Sequence, residues 1–293
     1  MRRLLLAAAI LGVAVGCVSP SGASRGEAAI EVTKVDQGRY MPVPGKPVFV
    51  LVMGQDARPG QAQSRGDALH LIGINPETRQ ATILNIPRDT WTNIPGRGID
   101  KINTANYYGG PVLQARAVSA LVGVDIPIVL STGFLGFADM VDELGGVNVD
   151  VPVAMNDPTS GAVFPKGIVR MDGGAALAFA RNRSLSGGDF TRTQDQGILI
   201  LASLSKLRDS APTPANTLKW MAVLSRHTRF DGIGIGDLYR LGRLALSVDP
   251  ENVRNVTMPG SAGSAANQSV VFVGGGAAGL FADFRDDAVL QSY

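Results

Sequence analysis

Between Val48 and Pro87 the chain carries three apolar, β-branched runs, VFVLVMG, ALHLIGIN and ATILNIP, separated by Gly, Pro and Asn. Runs of this length and composition form strands. The first is apolar at nearly every position, so both of its faces should be covered. A chain that begins this way must build a sheet and then find helices for its faces. The helices follow. VLQARAVSALVG places apolar residues at Val112, Ala115, Val118 and Leu121, and Gly123 stops it. FADMVDELGG ends similarly at Gly145, and VNVDVPV is the next strand. DPTSG marks a turn between two extended segments, GGAALAFA a short helix, and a longer helix runs from Asp189 to a stop at SAPTP. Helices near 215–226 and 237–247 lead to strands VRNVTMP and SVVFVG; GSAGSAANQ between them has the composition of a loop. Alternating strands and helices predict an α/β fold, a sandwich around a mixed central sheet.

The N-terminus stands apart. MRRLLLAAAILGVAVGC joins two arginines to an apolar stretch shorter than the about 20 residues that span a bilayer, which is the pattern of a secretory signal. Gly16 before Cys17 is similar to a lipoprotein box, with Cys17 as the lipidated residue; an ordinary cleaved signal or an uncleaved anchor, with Cys17 incidental, is the alternative. Residues 1–16 thus read as a signal peptide and 17–46 as a tether in which AIEVTKV could form a short strand. Residues 47–293 read as one domain, without an obvious break. Removing the signal takes Arg2 and Arg3 and no acid, leaving 25 bases against 25 acids. A neutral chain does not bind polyanions by bulk charge, which argues against nucleic acid as a partner. A single cysteine excludes an intramolecular disulfide and a cysteine-based zinc site.

Several weak motifs carry no chemistry. DGIGIGD has its third glycine one residue too early for a dinucleotide fingerprint, and Asp237 within it is expected to cap a helix. VGGGAAG lacks the lysine and hydroxyl of a phosphate loop. With only His70 and His227 and no Gly-x-Ser-x-Gly turn, a histidine-based nucleophile is disfavoured.

Charged residues cluster instead at predicted strand ends. Asp56 follows the first strand and Asp67 precedes the second; if these strands are neighbours, two carboxylates meet at a sheet edge, a setting for Mg²⁺ as well as for ordinary turns. Arg88 and Asp89 follow the third strand, with Lys101 and Asn103 further on. FARNRSLSGGDFTRTQDQG then gathers Arg181, Arg183 and Arg192 without a lysine. Arg181 and Arg183 share a side if the segment is extended, Asp189 falls at an expected helix N-cap, and Arg192 and Gln196 share a helix face. Guanidinium groups converging on a helix start suit phosphate oxygens, although a solvated helix start would look similar. Taken together, the arginines and Arg58, Arg88 and Lys101 would hold an anion while Asp56 and Asp67 hold a cation, and a pyrophosphate satisfies both.

GQDAR, SRGDAL, NIPRDTW, KINTANYYGG, DELGGVNVDVP, MDGGAALAFARNR and GDFTRTQDQ, in this order, resemble the LytR–CpsA–Psr family of bacterial cell-envelope proteins. The resemblance covers roughly residues 47–260. It implies a three-layer α-β-α sandwich with an apolar channel for a polyprenyl chain. It also implies a phosphotransferase moving a glycan polymer from a polyprenyl-pyrophosphate carrier to peptidoglycan, with Mg²⁺ or Mn²⁺, at the outer face of the cell membrane. Carried over by position, Asp56 and Asp67 match metal ligands. Arg88, Lys101, Arg181, Arg183 and Arg192 match pyrophosphate contacts, Arg58 lies in a matching motif, and Asp189 and Gln196 match the last motif. Asp89 is a general-base candidate by position. Asn85 and Gly66 depart from the family's usual serines. A lipid-pyrophosphate hydrolase would need the same residues, and a non-catalytic envelope lipoprotein would not need them.

Overall fold

The computed structural model describes residues 30–35, 45–55, 64–210 and 228–291. The three apolar runs become β2 (Val48–Gln55), β3 (Gly66–Asn75) and β4 (Gln80–Asn85), adjacent and antiparallel in that order. They form the middle of a seven-stranded mixed sheet. On one side β2 pairs in parallel with β7 (Ile128–Gly133), which pairs antiparallel with β1 (Ile30–Lys34), and β1 pairs in parallel with β12 (Thr228–Asp231). On the other, β4 pairs in parallel with β13 (Val253–Thr257). The short strand in AIEVTKV is therefore an interior strand of the sheet, and residues 30–34 are not tether. Their apolar alternation is brief, but Val32 fits the buried face beside Val50 and Ile128.

Pleating divides β2 between two cores, because successive side chains alternate faces. Phe49, Leu51 and Met53 join Leu69, Leu71 and Leu84 on one face. That face is covered by α1 (Thr104–Val122) through Ala115, Val118 and Val122, and by the last helix, Ala277–Asp287, through Phe281 and Phe284. Val48 and Val50 face the other way, toward Leu241. Both faces of the central strand are buried, as its composition requires, and the result is the expected α-β-α sandwich. α1 is kinked at Gly109–Gly110, where Pro111 cannot continue the hydrogen-bond ladder. The part of α1 beyond the kink packs in this core through Ala115, Ala117, Val118 and Val122.

A second core lies beyond the sheet. α2 (Phe134–Glu143), the hairpin strands β8 (Val147–Val151) and β11 (Gly167–Met171), α3 (Gly173–Arg181) and α4 (Asp189–Ser210) enclose Val141, Val149, Met171, Phe179 and Leu199. Between β8 and β11, β9 (Met155–Asp157) and β10 (Ala162–Phe164) make a small hairpin turning through the DPTSG segment. Gly173 packs so closely on α2 that a Cβ there would lie 2.1 Å from the Ala138 carbonyl oxygen.

Several local expectations are corrected. GSAGSA forms β14 (Gly260–Ala265), paired with β15 (Gln268–Val273) through a turn with positive φ at Ala266 and Asn267. The hairpin needs backbone pairing and that turn, so its small residues left no apolar signal. α5 (Ile235–Ser247) is capped at Gly234; Asp237 lies in its first turn and pairs with Arg240. α4 likewise begins at Asp189, with Gly188 before it accepting from the Arg192 amide. The last helix, α6 (Ala277–Asp287), had no sequence-based assignment. The helix expected near 215–226, Cys17, Asp56 and Arg58 lie outside the described residues.

Candidate active site

Pleating and chain reversal bring four separated segments together. Asp67 enters from the first turn of pleat in β3, and Arg88 from the Pro87–Thr90 turn after β4. That turn is fixed by the Thr90 hydroxyl on the Pro87 carbonyl at 2.6 Å and by the Asn103 amide on the Arg88 carbonyl at 3.2 Å. Arg181 ends α3, Arg183 follows it, and Arg192 and Gln196 lie one turn apart on α4. All six line one open cleft of about 470 Å³, which the turn residues Asp157, Thr159 and Ser160 close on another wall. Arg181 and Arg183 reach the cleft from a helix end and from the residue after the extended Asn182, not from one extended segment.

The remaining charged candidates do not line the cleft but pair with residues that do. Asp189 lies 2.5 Å from Arg192. Asp89 lies 4.0 Å from Arg88 Nε and 3.2 Å from Lys101 Nζ. Lys101 thus pairs with Asp89. Arg88 donates to Asp67. Burial opposes the Arg88 charge, yet Asp67, Asp189 and Asp89 outweigh it and hold the guanidinium above its ordinary range.

Arg192 is in the opposite position. It is only 4% exposed, and desolvation pushes its pKa down to about 10, with Arg183 and Arg88 adding repulsion that Asp189 only partly offsets. Its Nε and that of Arg88 are buried and have no hydrogen-bond partner among the described residues. Mutually repelling guanidiniums with unused donors suit an anion, which would supply both the acceptors and the missing charge. The oxygen donors also suit a hard divalent cation. Asp67 stands in the cleft with only Oδ1 engaged by Arg88, and Mg²⁺ commonly takes one or two carboxylates and completes its shell with phosphate oxygens and water.

A buried polar network beneath the cleft had no sequence assignment as a unit. His70 faces Asn85 across the β3–β4 ladder, and its Nδ1 lies 2.7 Å from Asn85 Oδ1. Asn85 Nδ2 donates to Asn255 Oδ1 at 2.7 Å and to the Val256 carbonyl at 3.2 Å. Gln194 and Asn255 exchange side-chain to backbone bonds at 2.8 and 3.1 Å. Burial holds His70 near pKa 4, so the ring is neutral, and Gln196 is a further hydrogen-bond neighbour. Gln196 also donates to the Ala180 carbonyl at 2.9 Å, which ties α4 to the end of α3 beside Arg181. Asn85 is thus held by partners on β3 and β13. Asp195, next to Gln196, is 1% exposed. It shares its helix face with Leu199 and Ala202 of the second core, and burial pushes its carboxyl up to about 7.

A model of the LytR_cpsA_psr family matches residues 21–278. The chain belongs to this family. Among curated relatives, the polyisoprenyl-teichoic acid–peptidoglycan teichoic acid transferase TagT of Bacillus subtilis is 36% identical over 183 residues, 59% of this chain and 56% of that protein. The probable cell wall biosynthesis protein LcpB of Corynebacterium glutamicum is 32% identical over 213 residues, 68% of this chain and 51% of that one. The chain thus spans about half the length of these relatives. Among solved structures, B. subtilis TagV superposes with a TM-score of 0.70 at 23% identity, covering 85% of this chain and all of that one. The LytR-CPS2A-psr family protein YwtF (TagT) with bound octaprenyl pyrophosphate lipid gives 0.65 at 24% identity, covering 92% and 99%. These superpositions establish the fold.

Proposed function

We propose that this family member transfers a glycopolymer from a polyprenyl-pyrophosphate carrier to peptidoglycan outside the cytoplasmic membrane. The observation that carries the reading is the cleft itself. Arg88, Arg181, Arg183 and Arg192 converge on it beside Asp67, and two of the guanidiniums have buried, unused donors. The name of TagT as a teichoic acid transferase, and the prenyl pyrophosphate bound to YwtF, supply the chemical class.

In this reading the arginines hold the diphosphate and stabilise the charge that develops as its bridging P–O bond breaks. A peptidoglycan hydroxyl attacks the phosphorus nearer the glycan, its proton passes to solvent, and polyprenyl phosphate leaves. Asp189 holds Arg192 in place, and Lys101 with Asp89 steadies Arg88. Asp67, with Asp56, would hold Mg²⁺ or Mn²⁺, which when bound neutralises phosphate charge. Cys17 is proposed as the lipid anchor that keeps the domain at the outer membrane face; among the described residues no helix is long and apolar enough to cross a membrane.

The test is incubation of labelled lipid-linked glycan with the mature protein, with and without peptidoglycan and with and without EDTA. Label attached to peptidoglycan, dependent on divalent metal and lost in Arg192→Ala, is the expected result. Release of label into water at an equal rate without acceptor would replace the transferase with a hydrolase.

A further inference from the structure

The DPTSG turn forms a wall of the cleft whose chemistry does not match the arginines opposite. Asp157, Thr159 and Ser160, one carboxylate and two hydroxyl residues, line the same space as Arg88, Arg181 and Arg192. The turn is held rigidly. Asp157 Oδ1 accepts from the Thr159 amide at 3.0 Å and the Ser160 amide at 3.4 Å, and Oδ2 accepts from the Ser160 hydroxyl at 2.8 Å. These bonds favour the ionised carboxylate, with the Ser160 hydroxyl the largest cause.

The turn is also fixed against the arginine-bearing helix. Met155, at the root of the β9–β10 hairpin, and Ala162, beside its turn, are buried, and Phe164 packs edge-on against Phe179 of α3. Gly161, with φ of +80°, lets the hairpin approach Ala178 one turn before Arg181. The hairpin is thereby packed against the helix that ends at Arg181.

A fixed carboxylate would repel a diphosphate placed against it, so it faces a part of the ligand that offers O–H donors. The sugar bonded to the arginine-held phosphate is such a part, and a cleft of about 470 Å³ has the volume of a whole ligand site rather than of a diphosphate alone. We infer that Asp157, with Thr159 and Ser160, binds hydroxyls of the first sugar of the lipid-linked donor and so selects the glycan. This rests on the proposed function and adds the element that reads the sugar.

The experiment compares two probes on the mature chain, octaprenyl pyrophosphate and octaprenyl pyrophosphate carrying one N-acetylhexosamine. Asp157→Asn keeps the turn's acceptor oxygen but removes the charge, and Thr159→Val removes an exposed hydroxyl without disturbing packing. Loss of a charge-assisted hydrogen bond is worth about tenfold or more in affinity, so Asp157→Asn should weaken the sugar-bearing probe by about that factor. Thr159→Val should weaken it less, and both variants should bind the sugar-free probe as the parent does. Equal loss for both probes, or no loss for either, overturns the inference while leaving the proposed function standing. A fall in kcat with unchanged affinity for the sugar-bearing probe would likewise overturn it, because it would make Asp157 a proton acceptor and not a sugar ligand. If the parent chain binds neither probe, the proposed function falls and the inference falls with it.

Discussion

Replacing Asp195 by asparagine should change how stability depends on pH. The folded carboxyl has its pKa raised from 3.8 to about 7 by burial. Between those values the folded protein holds a proton that the unfolded chain has released, so its stability falls as pH rises and levels off above about 7. About three units at 1.36 kcal/mol each set the total at about 4 kcal/mol. His70 works in the opposite sense. Its folded pKa is lowered from 6.5 to about 4, so between those values the unfolded chain binds the extra proton and stability rises with pH, by about 3 kcal/mol in all. In the parent protein the two slopes oppose one another from pH 4 to 6.5 and nearly cancel. Asp195→Asn removes one of them and leaves His70 to dominate. Chemical denaturation of both proteins at half-unit steps from pH 4 to 8 measures the difference. The variant's advantage should grow with pH at about 1.4 kcal/mol per unit up to neutrality and then stay constant. Any fixed cost of burying an amide shifts the whole curve without altering this slope. A difference that is the same at pH 5 and pH 7 would refute the reasoning.

Arg88→Ala should lower kcat for glycan transfer by about 10² to 10³, as loss of one donor to developing charge typically does; initial-rate kinetics measure it, and Arg88→Lys should recover only part because a lysine lacks the planar fork. Asn85→Ala should cost about 2–4 kcal/mol in denaturant unfolding, since it strands the His70 ring nitrogen and the Asn255 oxygen in a buried setting. Gly173→Ala should destabilise by about 1–3 kcal/mol and lower Tm, because the added methyl meets a backbone oxygen that cannot rotate away; an unchanged Tm would mean that α2 and α3 can separate freely.

The sheet was legible where a strand's apolar pattern is long. β2, β3 and β4 are covered by helices and carry continuous β-branched runs. The charged residues at their ends were legible because each adjoins such a run, and Arg88 and Asp67 do meet. What sequence could not supply was partnership. Asp89 and Lys101 looked like cleft residues and instead neutralise each other, which depends on the β5–β6 hairpin (Trp91–Ile94 and Gly98–Lys101) folding back. The DPTSG turn was visible as a turn, but only the docking of its hairpin on Phe179 reveals that it faces the arginines. β14 escaped notice for a steric reason: its Gly263 gives room to the Phe272 ring, whose edge would lie 2.6 Å from any Cβ there. Side chains were removed where the hairpin needed space, and the hydrophobic signature went with them.

The placement of β1 has a practical result for anyone preparing this protein. A recombinant version trimmed at the composition change near residue 46 would lack the strand that joins β7 to β12. β7 would then end the sheet with its backbone donors and acceptors bare, an invitation to intermolecular pairing. A recombinant version should therefore start upstream of Ile30, so that β7 keeps β1 as its own partner.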